Sequence, residues 1–283
     1  MKKQVNMDKF CVFILAHGRP ESCKTFETLR ECGYNGKIII LIDNEDDKAQ
    51  GYFDMFGYDS VFVFNKTWAA SKSDSMNNFG NRKAILFARN ESFYVAEELG
   101  YDYFVQMDDD YYYFGHRGEY GAKKTNNLGL IFQWFIEFLV NCGDNVKSIA
   151  FSQGGDHIGG YRNDVLVKRK AMNSFFCITK RPFCFYGTLN DDVNCYLING
   201  KKGDVFLTFM SFQLDQYDTQ TTSGGMADTY KEMGTYLKSF TSIIGSPSNV
   251  KIKQMGVNFK RLHHSIDWNM TTPMIINETY KHV

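Results

Sequence analysis

Three consecutive aspartates, Asp108, Asp109 and Asp110, follow the apolar run Tyr103-Phe104-Val105-Gln106-Met107 and precede Tyr111-Tyr112-Tyr113. The run predicts a strand. A strand that ends in clustered carboxylates places hard oxygen ligands at its carboxyl end, the edge where open α/β sheets bind ligands. Adjacent carboxylates repel one another, so such a cluster is costly unless a cation or hydrogen bonds offset the repulsion. Mg²⁺ or Mn²⁺ held by one or two carboxylates plus substrate phosphates is the usual solution. A solvated acidic turn is the alternative for an isolated acidic triplet, and the strand-like run upstream tilts the balance toward a metal–phosphate site.

The elements ahead of the triplet read as α/β. Residues 11–16 (CVFILA) form the continuous apolar run of a buried parallel strand. His17-Gly18-Arg19-Pro20 breaks it, and a helix-like segment runs to Cys32, stopped by Gly33. A second strand over 37–42 ends at Asp43, a helix to about Phe56 is stopped by Gly57, and a third strand covers 60–64. Residues 65–80 are expected to be a long loop, and a helix over 81–99, closed by Gly100, returns to the aspartate-bearing strand. This order implies a parallel sheet with right-handed crossovers. Further on, residues 128–140 predict a buried helix and 148–152 a short strand, which leads into Gln153-Gly154-Gly155-Asp156-His157-Ile158-Gly159-Gly160. The two Gly-Gly pairs around Asp156 suit either backbone lying close to a ligand or a tight hairpin.

The bulk properties narrow the function classes. At 283 residues, with 43% hydrophobic and 16% aromatic content, the chain can bury a full core. Lys+Arg and Asp+Glu both total 32, so nothing global argues for a polyanion partner. Seven cysteines without CxxC pairs suit reduced thiols, and no apolar stretch approaches a membrane span, so a cytoplasmic protein without membrane contact is expected. The first strand–helix turn lacks both GxGxxG and GxxxxGK[ST], which excludes the usual dinucleotide fingerprint and the P-loop.

An α/β half without those motifs, but with an acidic cluster after its fourth strand, resembles the GT-A class of nucleotide-sugar glycosyltransferases. There a D-x-D motif ends a strand and holds a divalent metal on the donor diphosphate, and Asp108 and Asp110 match its two aspartates. Several segments resemble more narrowly the TET-associated glycosyltransferases of bacteriophages, which glycosylate hydroxymethylated pyrimidines in DNA. They are ILAHGRP, GYNGKIIILIDNED, QMDDDY, SQGGDHIGG, KRKAMNSFFC, GTLNDDVN, GGMADTY and RLHH, spread from residue 14 to residue 264. The resemblance implies a GT-A-like, Rossmann-type, mostly parallel sheet flanked by helices. It implies one domain over 1–283, with a nucleotide-sugar-binding half at 10–125 and an integrated acceptor-binding half at 126–283. It also implies Mn²⁺ or Mg²⁺, a UDP-sugar as the donor, a hydroxymethylated DNA acceptor and the cytoplasm of an infected bacterial host. A polysaccharide or small carbohydrate acceptor is the alternative.

The resemblance, together with the chemistry of glycosyl transfer, implies candidate roles. Asp108 and Asp110 are the metal candidates, with Asp109 set aside or bonded to the ribose. A further ligand is expected from a C-terminal histidine, and His263 and His264 are not separable. In Asn190-Asp191-Asp192-Val193-Asn194, Asp192 is the candidate general base and Asp191 the runner-up, as expected of an inverting enzyme. A helix N-cap is the structural alternative for this cluster, and both readings can hold at once. Ala16, His17, Arg19 and Asp43 are expected to bind the donor, and Asp156 belongs to the same candidate set. Arg82 and Arg89 share a helix face, where one could reach the diphosphate and solvation is the simpler fate of either. Lys168-Arg169-Lys170, with Lys180-Arg181 nearby, is the densest basic region and the candidate for DNA phosphate contacts. The run from Tyr111 to Phe114 suits core packing, with base stacking the alternative.

Overall fold

Continuous apolar strands need cover on both faces, and four of them build the amino-terminal half of this chain. The computed structural model describes residues 3–77, 84–157, 159–167, 174–217, 236–256 and 260–273. Strands β1 (Phe10–Leu15), β2 (Lys37–Asp43), β3 (Val61–Phe64) and β4 (Tyr103–Asp108) pair in parallel in the order β3-β2-β1-β4. On β1, Phe10, Val12 and Ile14 enter one core layer while Cys11, Phe13 and Leu15 enter the other. Both faces are therefore dry, as the unbroken apolar run requires.

The sheet continues through β5 (Tyr111–Gly118), β6 (Gly121–Lys124), β7 (Val146–Gln153), β8 (Val165–Val167), β9 (Ser174–Ile178) and β10 (Val205–Gln216). Its full order is β3-β2-β1-β4-β9-β7-β10-β5-β6, with β8 paired to β10. Strand β9 runs against both β4 and β7, β10 is parallel to β7, and β5 and β8 run against β10. Seven of the ten strands (β1, β2, β3, β4, β6, β7 and β10) thus share one direction. A separate hairpin pairs β11 (Val250–Met255) with β12 (Arg261–Ile266).

Helices α1 (Lys24–Glu31), α2 (Ala49–Phe56), α3 (Lys66–Lys72) and α4 (Leu86–Glu98) connect the parallel strands. Helix α5 (Leu128–Asn141) covers one face of the sheet through Phe132 and Phe135, whose ring lies 4.9 Å from Phe151 and 4.9 Å from Phe176. Helices α6 (Asp191–Lys201) and α7 (Tyr236–Gly245) follow in the carboxyl-terminal half.

Three sequence expectations change. Residues 65–80 are not simply a loop, because Asn65 caps α3 by accepting from the Trp68 N–H at 2.9 Å. Helix α4 starts at Leu86, and residues 78–83 lie outside the described residues. Helix α5 is buried on one side only. Leu130, Trp134 and Phe138 stand exposed at 57%, 61% and 43%, because a single helix layer leaves the face away from the sheet in water.

Candidate active site

The carboxyl ends of β1, β2 and β4 lie side by side, since Leu15 is in register with both Leu41 and Asp108. The turn after β1 is built there from charge pairs. His17 Nδ1 lies 2.9 Å from Asp43 Oδ2, and the buried Lys66 Nζ reaches the same oxygen at 3.1 Å. The Gly18 N–H donates to Asp46 Oδ2 at 2.7 Å, and Gly18 has φ +73°, which a residue without Cβ adopts freely. The hydrogen bond to Asp43 raises the His17 pKa, against the opposing effect of burial. Burial pushes the Asp43 carboxyl up, but the hydrogen bond from His17 and the charge of Lys66 outweigh it and leave the group lowered. Ala16 contributes backbone only: its N–H donates to the Leu41 carbonyl at 3.2 Å.

Arg19 crosses from this turn to the aspartate triplet and grips Asp109 with both arms, Nε at 2.8 Å from Oδ2 and Nη2 at 2.5 Å from Oδ1. Asp109 is therefore engaged by the turn that follows β1, while Asp108 is engaged elsewhere. Thr25 locks the turn beneath the triplet. Its Oγ1 donates to the Asp108 carbonyl at 2.7 Å and accepts from the Tyr111 N–H at 2.8 Å.

Asp108 faces α4, where Arg89 Nη2 donates to its Oδ1 at 3.0 Å. The same guanidinium holds a second carboxylate, with Nε 3.0 Å from Asp191 Oδ2 in an ion pair without hydrogen-bond alignment. Arg89 is 2% exposed, so solvation is not its fate. The tertiary fold has brought both acidic clusters to one cation. Asp191 and Asp192 open α6, where carboxylates also complement the helix dipole. Asn190 precedes them in the left-handed region at φ +60° and makes no side-chain cap; instead its Nδ2 donates to Ser242 Oγ at 2.6 Å.

Five carboxylates (Asp108, Asp109, Asp110, Asp191 and Asp192) thus gather around two guanidinium groups, Arg19 and Arg89. Burial pushes Asp108 up to about 7, opposed by Arg89 and reinforced by Asp110, Asp109 and Asp192. Burial pushes Asp110 up to about 6, with Asp109 adding to it. Asp191 rises to about 6, again through burial first, with Arg89 opposing. Asp110 Oδ1 is buried without a protein partner. This excess of negative charge fits a divalent cation, because Asp108 and Asp110 supply the one or two carboxylates such an ion takes beside substrate phosphates. Among the described residues, no three His, Cys, Asp or Glu side chains form a closed ligand cage.

The remaining candidates fall in several places. His264 Nδ1 lies 3.4 Å from Asn190 Nδ2, so the β11–β12 hairpin sits beside the start of α6. His263 Nδ1 lies 2.8 Å from the His264 carbonyl. Asp156 sits in a short helical turn over Gly154–His157 and accepts from the Gln153 N–H at 3.0 Å. Arg82 and the cluster Lys168, Arg169 and Lys170 lie outside the described residues. Arg181 is separated from the acidic site: β9 runs from Ser174, beside Met107, to Ile178, beside Tyr103, so the chain after it emerges at the opposite sheet edge. There Arg181 pairs with Asp144 at 2.8 Å. In the aromatic run, Tyr111 and Phe114 are core residues while Tyr112 is 42% exposed and rests against Tyr217.

Thr25 and Lys66 carry no signal strong enough for recognition from sequence, although the Asn65 cap marks the helix that positions Lys66. Arg89 does carry one. It occupies the apolar stripe Leu86, Arg89, Phe93, Ala96, spaced as one buried helix face.

The family model for TET-Associated Glycosyltransferase matches residues 10–225, and the chain belongs to that family. It is thereby a glycosyltransferase. No curated protein matches. Among solved structures, glucosyl-3-phosphoglycerate synthase from Mycobacterium tuberculosis is similar in three forms. Its complex with Mg²⁺ and UDP aligns at TM-score 0.47 and 12% identity, covering 91% of this chain and 87% of that one. Its complex with Mn²⁺, UDP and glucosyl-3-phosphoglycerate aligns at 0.47 and 13%, with coverage of 91% and 87%. A further structure of that synthase aligns at 0.48 and 12%, with coverage of 86% and 84%.

Proposed function

We propose that this chain moves a sugar from a nucleotide-sugar donor, a UDP-sugar, to the hydroxymethyl group of a modified pyrimidine in DNA, with Mn²⁺ or Mg²⁺ as cofactor. The carrying observation is the convergence of two acidic clusters on buried Arg89 in a chain of a glycosyltransferase family. The DNA acceptor rests on the resemblance set out from the sequence, as does the setting in an infected bacterial cytoplasm. Residues 10–125 act as the donor half and 126–283 as the acceptor half of one unit.

In this reading Asp110 and Asp108 would hold the cation, with His263 or His264 a candidate further ligand. When bound, the cation supplies charge neutralisation at the leaving diphosphate. His17, Gly18 and Arg19 orient the donor, and Asp43 lies where the base or ribose is read. Arg19 keeps Asp109 out of the ligand set. Asp192 accepts the proton of the acceptor hydroxyl as that oxygen attacks the anomeric carbon in line. The new C–O bond forms as the bond to the diphosphate breaks and takes its electron pair, inverting the anomeric centre. Lys168, Arg169 and Lys170 contact DNA phosphates, each adding roughly one unit to the salt slope of binding.

The test is incubation with hydroxymethylated DNA and a panel of nucleotide sugars, read by nucleoside mass spectrometry. The expected result is a modified nucleoside heavier by one sugar residue. Transfer only to a carbohydrate acceptor would overturn the DNA assignment and keep the reaction class.

A further inference from the structure

Arg89 sits near the start of α4 with its face to the sheet, where a helix of this kind ordinarily carries an apolar residue. The main chain is fixed there, since Gln106 on β4 donates to the Arg89 carbonyl at 2.9 Å. The guanidinium lies 5.2 Å from the Phe175 ring centre and 5.5 Å from that of Phe185, so two aromatic faces form part of its floor. A buried arginine is tolerated only where its charge is matched. Here it is matched twice, by Asp108 at the end of a strand and by Asp191 at the start of a helix 83 residues later. Among the described residues, Asp110 and Asp192 have no ion pair. Arg89 engages one carboxylate of each cluster, Arg19 takes Asp109, and Asp110 and Asp192 are left over.

We propose that Arg89 is a positioning residue for transfer. It fixes the spacing between donor-side and acceptor-side carboxylates, and by engaging Asp108 and Asp191 it leaves Asp110 and Asp192 as the pair turned to the reactants. This rests on the glycosyltransferase reading of the site given above. The planar fork matters as much as the charge, because a lysine ammonium is a point charge and cannot hold two carboxylates at set positions from one stem.

Arg89→Lys keeps a buried cation and removes the fork. The readouts are thermal melting, calorimetric titration with UDP and MnCl₂, hydrolysis of UDP-glucose, and transfer to hydroxymethylated DNA. The expected result is cooperative melting and a kcat lowered by about 10²-fold in hydrolysis and transfer, the usual cost of a small misplacement of reacting groups. The Kd for UDP with Mn²⁺ should stay within about threefold, a difference below 1 kcal/mol. The double variant Arg89→Lys/Asp191→Asn should be no slower than Arg89→Lys, since residues acting as one unit are non-additive. A wild-type kcat with lowered melting temperature would overturn the proposal in favour of a purely structural arginine. A fall in kcat matched by a rise in Kd would instead make it a donor ligand. Should Arg89→Lys fail to melt cooperatively, Arg89→Gln/Asp191→Asn removes a charge from each side of the pair. A slow enzyme there supports the clamp and a wild-type kcat overturns it. If wild type hydrolyses UDP-glucose but leaves DNA untouched, the DNA reading falls while hydrolysis still reads out Arg89. If wild type neither binds UDP with Mn²⁺ nor hydrolyses a donor, the site reading falls and the clamp with it.

Discussion

The turns that follow β1, β2 and β3 and the chain from α4 onward are finished to different degrees. Around β1, β2 and β3 the charges are matched within the chain: His17 and Lys66 share Asp43, Gly18 is bonded to Asp46, and Arg19 grips Asp109. From α4 onward, Gln106 Oε1, Asp110 Oδ1, Tyr113 Oη, Arg117 Nε, His157 Nδ1, Asn190 Oδ1, Asn194 Oδ1, Tyr196 Oη and Ser246 Oγ are buried without a hydrogen-bond partner among the described residues. Among the described residues ahead of α4 there is no comparable atom. An unmatched buried polar atom costs about 1–3 kcal/mol, so the chain from α4 onward carries polarity that its own packing does not use. The difference teaches that the turns after β1 and β2 are organised by their own charge pairs, while the junction at Arg89 and the chain beyond it hold polar groups that their packing leaves without partners.

The largest test of that contrast is at the junction. Asp110→Ala should reduce transfer by about 10³-fold or more, because it removes the carboxylate left over for the cation at the leaving diphosphate. EDTA should silence wild type, with Mn²⁺ or Mg²⁺ restoring it; full activity in excess chelator would remove the metal role.

On the acceptor side, Asp192→Asn should slow transfer by about 10²- to 10⁴-fold with the donor KM nearly unchanged, as for loss of a general base. Asp191→Asn should cost less, since Asp191 is the clamped member of its pair. Reversal of that order in steady-state kinetics would move the base by one residue, and two active variants would end the inverting mechanism.

A turn built from charge pairs also predicts a stability effect. Lys66→Met leaves Asp43 with one cationic partner and should lower unfolding free energy by about 3 kcal/mol, the range for breaking a buried pair. Urea denaturation measures it, and a loss below about 1 kcal/mol, the range of an exposed pair, would mean that His17 alone satisfies Asp43.

The smallest effect is the pH dependence of the His17–Asp43 pair. His17 is raised from 6.5, so its contribution is complete below that pH and is lost as pH rises through the folded pKa. Asp43 is lowered from 3.8, so its contribution is present above that pH and is lost as pH falls through the folded pKa. The pair therefore contributes most between these two values. With the His17 side chain 37% exposed, solvent screening holds its effect to under about 1 kcal/mol. Comparing melting of wild type and His17→Gln at pH 5.5 and 8 checks it: the gap should narrow at the higher pH.

By itself the sequence determined the parallel half and the position of the acidic triplet. The apolar runs at 11–16 and 37–42 admit little but buried strands, and a strand's polar terminus must fall at its sheet edge. Family membership was also legible, in short segments spread along nearly the whole chain. Tertiary structure alone decided which carboxylates meet. Nothing local relates Asp108 to Asp191, and their approach depends on α4 and α6 packing on the same side of the sheet. The reading of Arg89 as solvated failed for the same reason: helix spacing assigns it a face, but only its two partners make burial of that charge affordable. The antiparallel insertion of β9 between β4 and β7 was equally hidden. It carried Arg181 to the far edge, because strand direction follows from pairing partners distant in sequence and not from the residues of the strand itself.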